Sequence, residues 1–125
     1  MNVLLDTSAW IELFKATKNT GRIKEILTKE PCYTSIVTIA EIVNWAEKEK
    51  RNHEDIIDNV GKASTIIGLN ESISVLAGRL NFERKKLNSK LGMLDSFILA
   101  TAMTYGLRIL TKDSYFGDLQ EVEKL

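Results

Sequence analysis

The chain has 125 residues, 44% hydrophobic and 27% charged, with 17 Lys and Arg set against 17 Asp and Glu. A chain of that length buries roughly two thirds of the surface its unfolded form exposes, so residues 1–125 are expected to form one domain without a disulfide or structural metal. The single cysteine, Cys32, excludes an intrachain disulfide framework and a Cys-based zinc site, and zero net charge excludes nucleic-acid binding by bulk electrostatics alone.

Met1 to Leu5 has no basic stretch and meets Asp6 at once, and no apolar run approaches the ~20 residues of a membrane span. A reducing cytoplasm is the expected location, with no membrane partner. Val3-Leu4-Leu5 reads as a strand buried on both faces, and Asp6-Thr7-Ser8 supplies capping oxygens for a helix from about Ser8 to Ala16. In that helix Trp10, Leu13 and Phe14 share a face. After the turn Asn19-Thr20-Gly21, Ile23, Ile26 and Leu27 mark a second helix, Arg22 to Lys29, closed by Pro31. Cys32-Tyr33-Thr34 is the second strand. Ser35 caps a helix to about Arg51, whose first three turns carry Ile36, Val37, Ile39, Ala40, Ile42 and Val43; with so little polar face it is expected to be buried nearly all round, with Glu41 in its middle.

A further helix runs from Asn52 to Val60 with Glu54 and Asp55 in its first turn, and Thr65-Ile66-Ile67 is a third short strand. Asn70 caps a helix carrying Ile73, Leu76, Ala77 and Leu80, whose distal end turns basic: Arg79, Arg84, Lys85, Lys86, then Lys90. Asp95 opens an apolar helix that ends at Gly106, Leu107 to Thr111 is a strand, and Lys112-Asp113-Ser114 is a loop. Strands alternating with helices predict an α/β domain with a parallel sheet and right-handed crossovers.

In an open parallel sheet the functional edge lies at the carboxyl ends of the strands, and Asp6 and Asp113 each follow one. The helix from Asp95 descends roughly 16 Å and the next strand climbs back by the same amount, so Asp95 and Asp113 are expected at one edge. Glu41, six residues past Ser35 and about 9 Å along its helix, reaches the same mouth. Four carboxylates in one place repel one another, which a divalent cation would relieve. Magnesium or manganese takes oxygen ligands and pairs with phosphate oxygens, so hydrolysis of phosphodiesters is the chemistry suggested. The only histidine, His53, sits in a polar helix start, which removes Ser-His and Cys-His catalysis and His-rich zinc sites.

Four motifs in this order carry a family resemblance: Leu5-Asp6-Thr7-Ser8, Thr38-Ile39-Ala40-Glu41-Ile42, the run from Asp95 to Ala102, and Thr111-Lys112-Asp113 with Phe116 behind. The chain resembles the PIN domain along essentially its whole length, and in size and order the toxin ribonuclease of VapBC toxin–antitoxin pairs. The resemblance implies a three-layer α/β/α sandwich on a parallel sheet of four or five strands. It implies a magnesium- or manganese-dependent endoribonuclease with Asp6, Glu41, Asp95 and Asp113 as its acidic site. Ser8 and Thr111 match positions that hold the carboxylates or a water. A homodimer and a cognate antitoxin are the partners expected with an RNA substrate.

Simpler roles compete. Asp6 and Asp95 are in positions where a helix N-cap is common, Asp113 suits a turn, and Asp118 is a substitute ligand for it. Arg84, Lys85, Lys86 and Lys90 fit a solvated face as well as an RNA-guiding one. Trp10, Phe14 and Trp45 fit the core as well as an interface. Glu41 has no such simple role, because a carboxylate among Ile, Val and Ala is costly unless paired. Two other functions remain open: an RNA-processing nuclease outside any toxin system, and a catalytically silent scaffold that binds RNA or protein.

Overall fold

The apolar triplet Val3–Leu5 is strand β1, buried on both faces at the centre of a parallel sheet. The structure is a computed structural model that describes residues 2–113, 116, 119 and 122–125. After β1 come helices α1 (Thr7–Lys15) and α2 (Thr20–Lys29), strand β2 (Cys32–Ser35), helices α3 (Ile36–Lys48) and α4 (His53–Ala63), and strand β3 (Thr65–Ile67). Helices α5 (Glu71–Lys85) and α6 (Met93–Tyr105) lead to strands β4 (Arg108–Thr111) and β5 (Val122–Lys124). The strand order is β3-β2-β1-β4-β5, every pair parallel, with Leu4 opposite Tyr33 on one side and Ile109 on the other. The chain winds outward from β1 through β2 to β3 and then returns to lay β4 on the other side of β1. The crevice past the ends of β1 and β4 is therefore the topological switch point, where doubly wound sheets bind ligands.

Side-chain alternation divides the core into two layers. Val3, Leu5 and Leu110 pack with Trp10, Ile23, Ile42 and Val60 beneath α1 to α4, whereas Leu4 and Ile109 pack with Ile98 and Leu99 of α6. Helix α5 covers α6 from outside through Ile73 and Ala77 against Ala100. The expected α/β/α sandwich is what forms, with five strands. No helix among the described residues is long and apolar enough to cross a membrane.

One expectation is overturned. Helix α3 is not buried all round: Thr38, Ile42 and Ala46 are buried, Ala40 is exposed and Ile36 is 42% exposed. The buried three lie at i, i+4, i+8, the single stripe that a helix on a sheet presents inward; Val37, Ile39 and Trp45 beside it are covered only in part, and Ile36 stands open. Smaller differences have local causes. Helix α6 starts at Met93, two residues before Asp95, because the Asp95 carboxylate reaches back to accept the Gly92 backbone N–H at 2.9 Å from the third helical position. It ends where expected, at Gly106, in the left-handed region (φ 64°) that glycine enters without steric cost. Helix α2 begins at Thr20 instead of Arg22, α3 stops at Lys48, and β2 extends to Ser35, which also caps α3 by accepting the Val37 N–H. Strand β5 was not anticipated, because Val122-Glu123-Lys124 has too little apolar pattern to show as a strand outside the sheet.

Candidate active site

Asp6 follows β1 directly and occupies the N-cap position of α1, yet its side chain makes no cap hydrogen bond. Its Oδ2 instead accepts from the Thr111 hydroxyl at 2.7 Å and the Ser8 hydroxyl at 2.9 Å, so β4 and α1 together orient a carboxylate that is 2% exposed. Ser8 Oγ and Thr111 Oγ1 are themselves 3.1 Å apart, and Thr111 Oγ1 also accepts the Asp113 N–H at 3.0 Å. This arrangement sets aside the simple cap for Asp6: the aspartate is aimed out of the helix towards the crevice.

Glu41 arrives from α3. Its Oε1 accepts from the Thr7 hydroxyl at 2.6 Å, and that hydroxyl lies 3.1 Å from Thr38 Oγ1. In sequence Thr7 offers only a capping oxygen. Its contact with Glu41 joins residues 34 apart in the chain, and the one local hint is that Thr38 and Glu41 share a helix face at i, i+3. Asp95 enters from the first turn of α6, held by Gly92.

These carboxylates disturb one another. Burial pushes the Glu41 carboxyl above its usual range, and the charges of Asp6, Asp95 and Asp113 add to this against the opposing bond from Thr7. Asp95 is raised by burial and by Asp6, despite the Gly92 N–H. Asp113 is pushed up to about 6 by burial first, then by the charges of Asp6 and Asp95 and a hydrogen bond with Asp6, with Lys112 pulling the other way. Asp6, Glu41, Asp95 and Asp113, expected at one edge, are near enough for their charges to act on one another. Asp118, the substitute ligand, lies outside the described residues.

The other candidates sit elsewhere. Lys85 and Lys90 are exposed, Arg84 is half-buried, and Lys86 lies 4.3 Å above the Phe82 ring and 3.8 Å from Glu83. Their end of α5 is tied to the start of α6 by the Ser96 hydroxyl, which donates to Asn81 at 3.2 Å. Trp10 is core, 1% exposed, with its indole N–H donating to Thr34; Phe14 and Trp45 are half-buried, and Arg51 covers the Trp45 ring at 4.8 Å. His53 pairs with Glu47 at 2.7 Å. The buried Cys32 thiol is raised to about 11 by burial and by Glu30, which removes it as a nucleophile.

Among the described residues no three acidic, histidine or cysteine side chains form a ready metal cage. The donor set nevertheless suits one kind of ion. It is all oxygen, and Glu41, Asp95 and Asp113 hold protons above their normal range, through burial first and then through neighbouring carboxylate charge. A hard divalent cation that keeps several waters needs only one or two direct carboxylates, with the remaining charge nearby.

The PIN domain family profile matches residues 3–122. No curated protein is significantly similar to the chain. A toxin–antitoxin complex from Klebsiella pneumoniae contains a chain 26% identical, with 98% of this chain and 96% of that one covered at a TM-score of 0.78. VapBC2 from Rickettsia felis, bound to a DNA fragment from its promoter, is 17% identical over 99% and 98% at 0.80. VapC20 from Mycobacterium tuberculosis, a sarcin–ricin-loop-cleaving toxin, is 14% identical over 92% of both chains at 0.72.

Proposed function

The chain belongs to the PIN domain family, whose members are nucleases, and from that premise we propose that it is a magnesium- or manganese-dependent endoribonuclease, the toxin half of a toxin–antitoxin pair. The observation that carries this reading is the cluster at the switch point: Asp6, Glu41, Asp95 and Asp113 come from four elements, and three of them are held above their normal pKa by burial and by the others' charges. Repulsion of that kind is retained where a cation belongs.

Asp6, Glu41, Asp95 and Asp113 would hold the ion, with Ser8 and Thr111 fixing Asp6 and Thr7 fixing Glu41. A bound divalent ion supplies charge to a phosphoryl oxygen and lowers the pKa of an attacking water. The chain's own residues orient Asp6 and Glu41 by hydroxyl donors. A carboxylate of this set that does not hold the ion would accept the proton of the attacking water. Arg84, Lys85, Lys86 and Lys90, beside the start of α6, guide the RNA backbone as a local positive patch in a neutral chain.

The antitoxin is supported by the structural likeness to toxin–antitoxin complexes. An antitoxin segment covers the acidic crevice and an Arg of it meets the carboxylates, as a cation would. Self-association is supported by exposed Ile36 on α3 and by exposed Phe82, Leu87, Met93 and Leu94. The protein acts as a single cytoplasmic domain. The test is incubation of the purified chain with a mixed RNA pool in manganese, in magnesium and in excess chelator, with the new ends mapped. Cleavage that needs metal and is lost in Asp6→Asn supports the reading, and cleavage that survives chelator overturns it.

A further inference from the structure

Glu12 is the one buried carboxylate of the described residues that the proposed site does not use; it is 4% exposed, on α1. A buried charge of this kind is costly unless it is fully partnered. Two partners come from the turn behind it: Asn19 Nδ2 donates to Glu12 Oε1 at 2.7 Å and the Thr17 hydroxyl at 3.1 Å. The chain is folded back over Glu12 to place them, and Ala16, at φ 57°, takes the left-handed conformation usually left to glycine. The third partner is distant in sequence. Lys112 Nζ lies 3.5 Å from Glu12 Oε2, across 100 residues.

Ser8 and Glu12 stand at i, i+4 on α1, so they share one face of a rigid helix. Ser8 Oγ accepts the Lys112 backbone N–H at 3.0 Å, and Glu12 takes the ammonium of the same residue. One helix face therefore grips residue 112 at both its ends. On one side of Lys112 is Thr111, which donates to Asp6; on the other is Asp113. We infer that Glu12 is a positioning residue, clamping Lys112 so that Asp113 is held at a fixed place opposite Asp6. The inference rests on the carboxylate site proposed above. A lock between α1 and α2 alone would be served by an amide, which also bonds Asn19 and Thr17. Only the pairing with an ammonium calls for a carboxylate.

The test is a double-mutant cycle of Glu12→Gln and Lys112→Met, read by amide hydrogen exchange at Lys112 and Asp113 and by steady-state cleavage of RNA. Glu12→Gln keeps the neutral hydrogen bonds, so its circular dichroism should match the wild type. The clamp predicts faster exchange at both amides in each single variant, and kcat lowered about tenfold with KM little changed. It also predicts a double variant no worse than the poorer single one. Unchanged exchange in Glu12→Gln overturns the clamp, as do losses that multiply in the double variant. Faster exchange in a protein whose wild type cleaves no RNA upholds the clamp and overturns the nuclease reading, so the two fail separately.

Discussion

The two ends of β4 handle negative charge in opposite ways. At its start Arg108 lies 3.7 Å from Glu30 and 3.3 Å from Glu123, and Glu123 is also paired with Arg22, so the carboxylates that tie β5 and the approach to β2 into the sheet face cations. Past its end Asp6, Asp113, Asp95 and Glu41 act on one another by charge, with Lys112 opposing this at Asp113, and that lysine is drawn aside by Glu12. The first end is built to hold the sheet together. The second keeps unrelieved repulsion within a stable frame, and a group that binds there and relieves it is stabilising by mass action. Loss of an acid should therefore harm function at one end, whereas loss of a charge should harm stability at the other.

The largest effect is expected from Asp95→Asn. RNA cleavage in manganese should fall by more than ~100-fold, beyond what the loss of an outer partner of a metal ligand costs. The fold should persist, since the Asn carbonyl still accepts the Gly92 N–H. Initial rates and circular dichroism on the same sample check both halves. At the other end, Arg108→Met should leave cleavage per folded molecule unchanged and lower stability by about 1–2 kcal/mol, or a few degrees of Tm, because Glu30 and Glu123 lose their shared cation while only partly open to water. Chemical unfolding with and without metal should give the same difference.

A smaller effect separates carboxylate orientation from carboxylate charge. Thr7→Val removes the donor to Glu41 but not the charge, so kcat should fall about tenfold and Thr7→Ser should recover most of it. Equal loss in both variants would contradict an orienting hydroxyl. The smallest is a pH dependence in chelator. In the folded state the Asp113 carboxyl is pushed up to about 6 from an ordinary 3.8, so the folded state binds the extra proton between those values. Stability from this group therefore declines as pH rises through that window and is level above it. Asp113→Asn should flatten the decline. Magnesium should flatten it in the wild type too, by displacing the proton. Thermal unfolding across the window, in chelator and in metal, reads both.

Much of the frame was legible because it is written in neighbouring residues. Val3–Leu5 announces a strand by its apolar run, Thr65–Ile67 by its β-branched residues, and the 3.6-residue spacing of Ile73, Leu76, Ala77 and Leu80 marks the buried face of α5. The alternation of strands and helices then places Asp6 and Asp113 past strand ends, which was enough to bring the acidic residues to one edge. Their role as a metal site is a proposal from that placement and from their mutual charge effects.

Other features needed the tertiary structure. Apolarity of α3 says that it avoids water, but neighbours decide which side is covered: Thr38, Ile42 and Ala46 are buried, whereas Val37, Ile39 and Trp45 are covered only in part. Val122–Lys124 is a strand because Ile109, Leu110 and Thr111 offer it a ladder, something its own three residues do not specify. Asp6 looks like a helix cap in sequence, and hydroxyls 2 and 105 residues away turn it into an oriented carboxylate. The ion pair of Glu12 has no local signal, since its partner Lys112 lies 100 residues later. Propensity and periodicity act within a turn or a strand and can be read along the chain. A hydrogen bond or ion pair between distant residues exists only after the sheet has brought β1 and β4 side by side, so the orientation of the carboxylates was settled by packing.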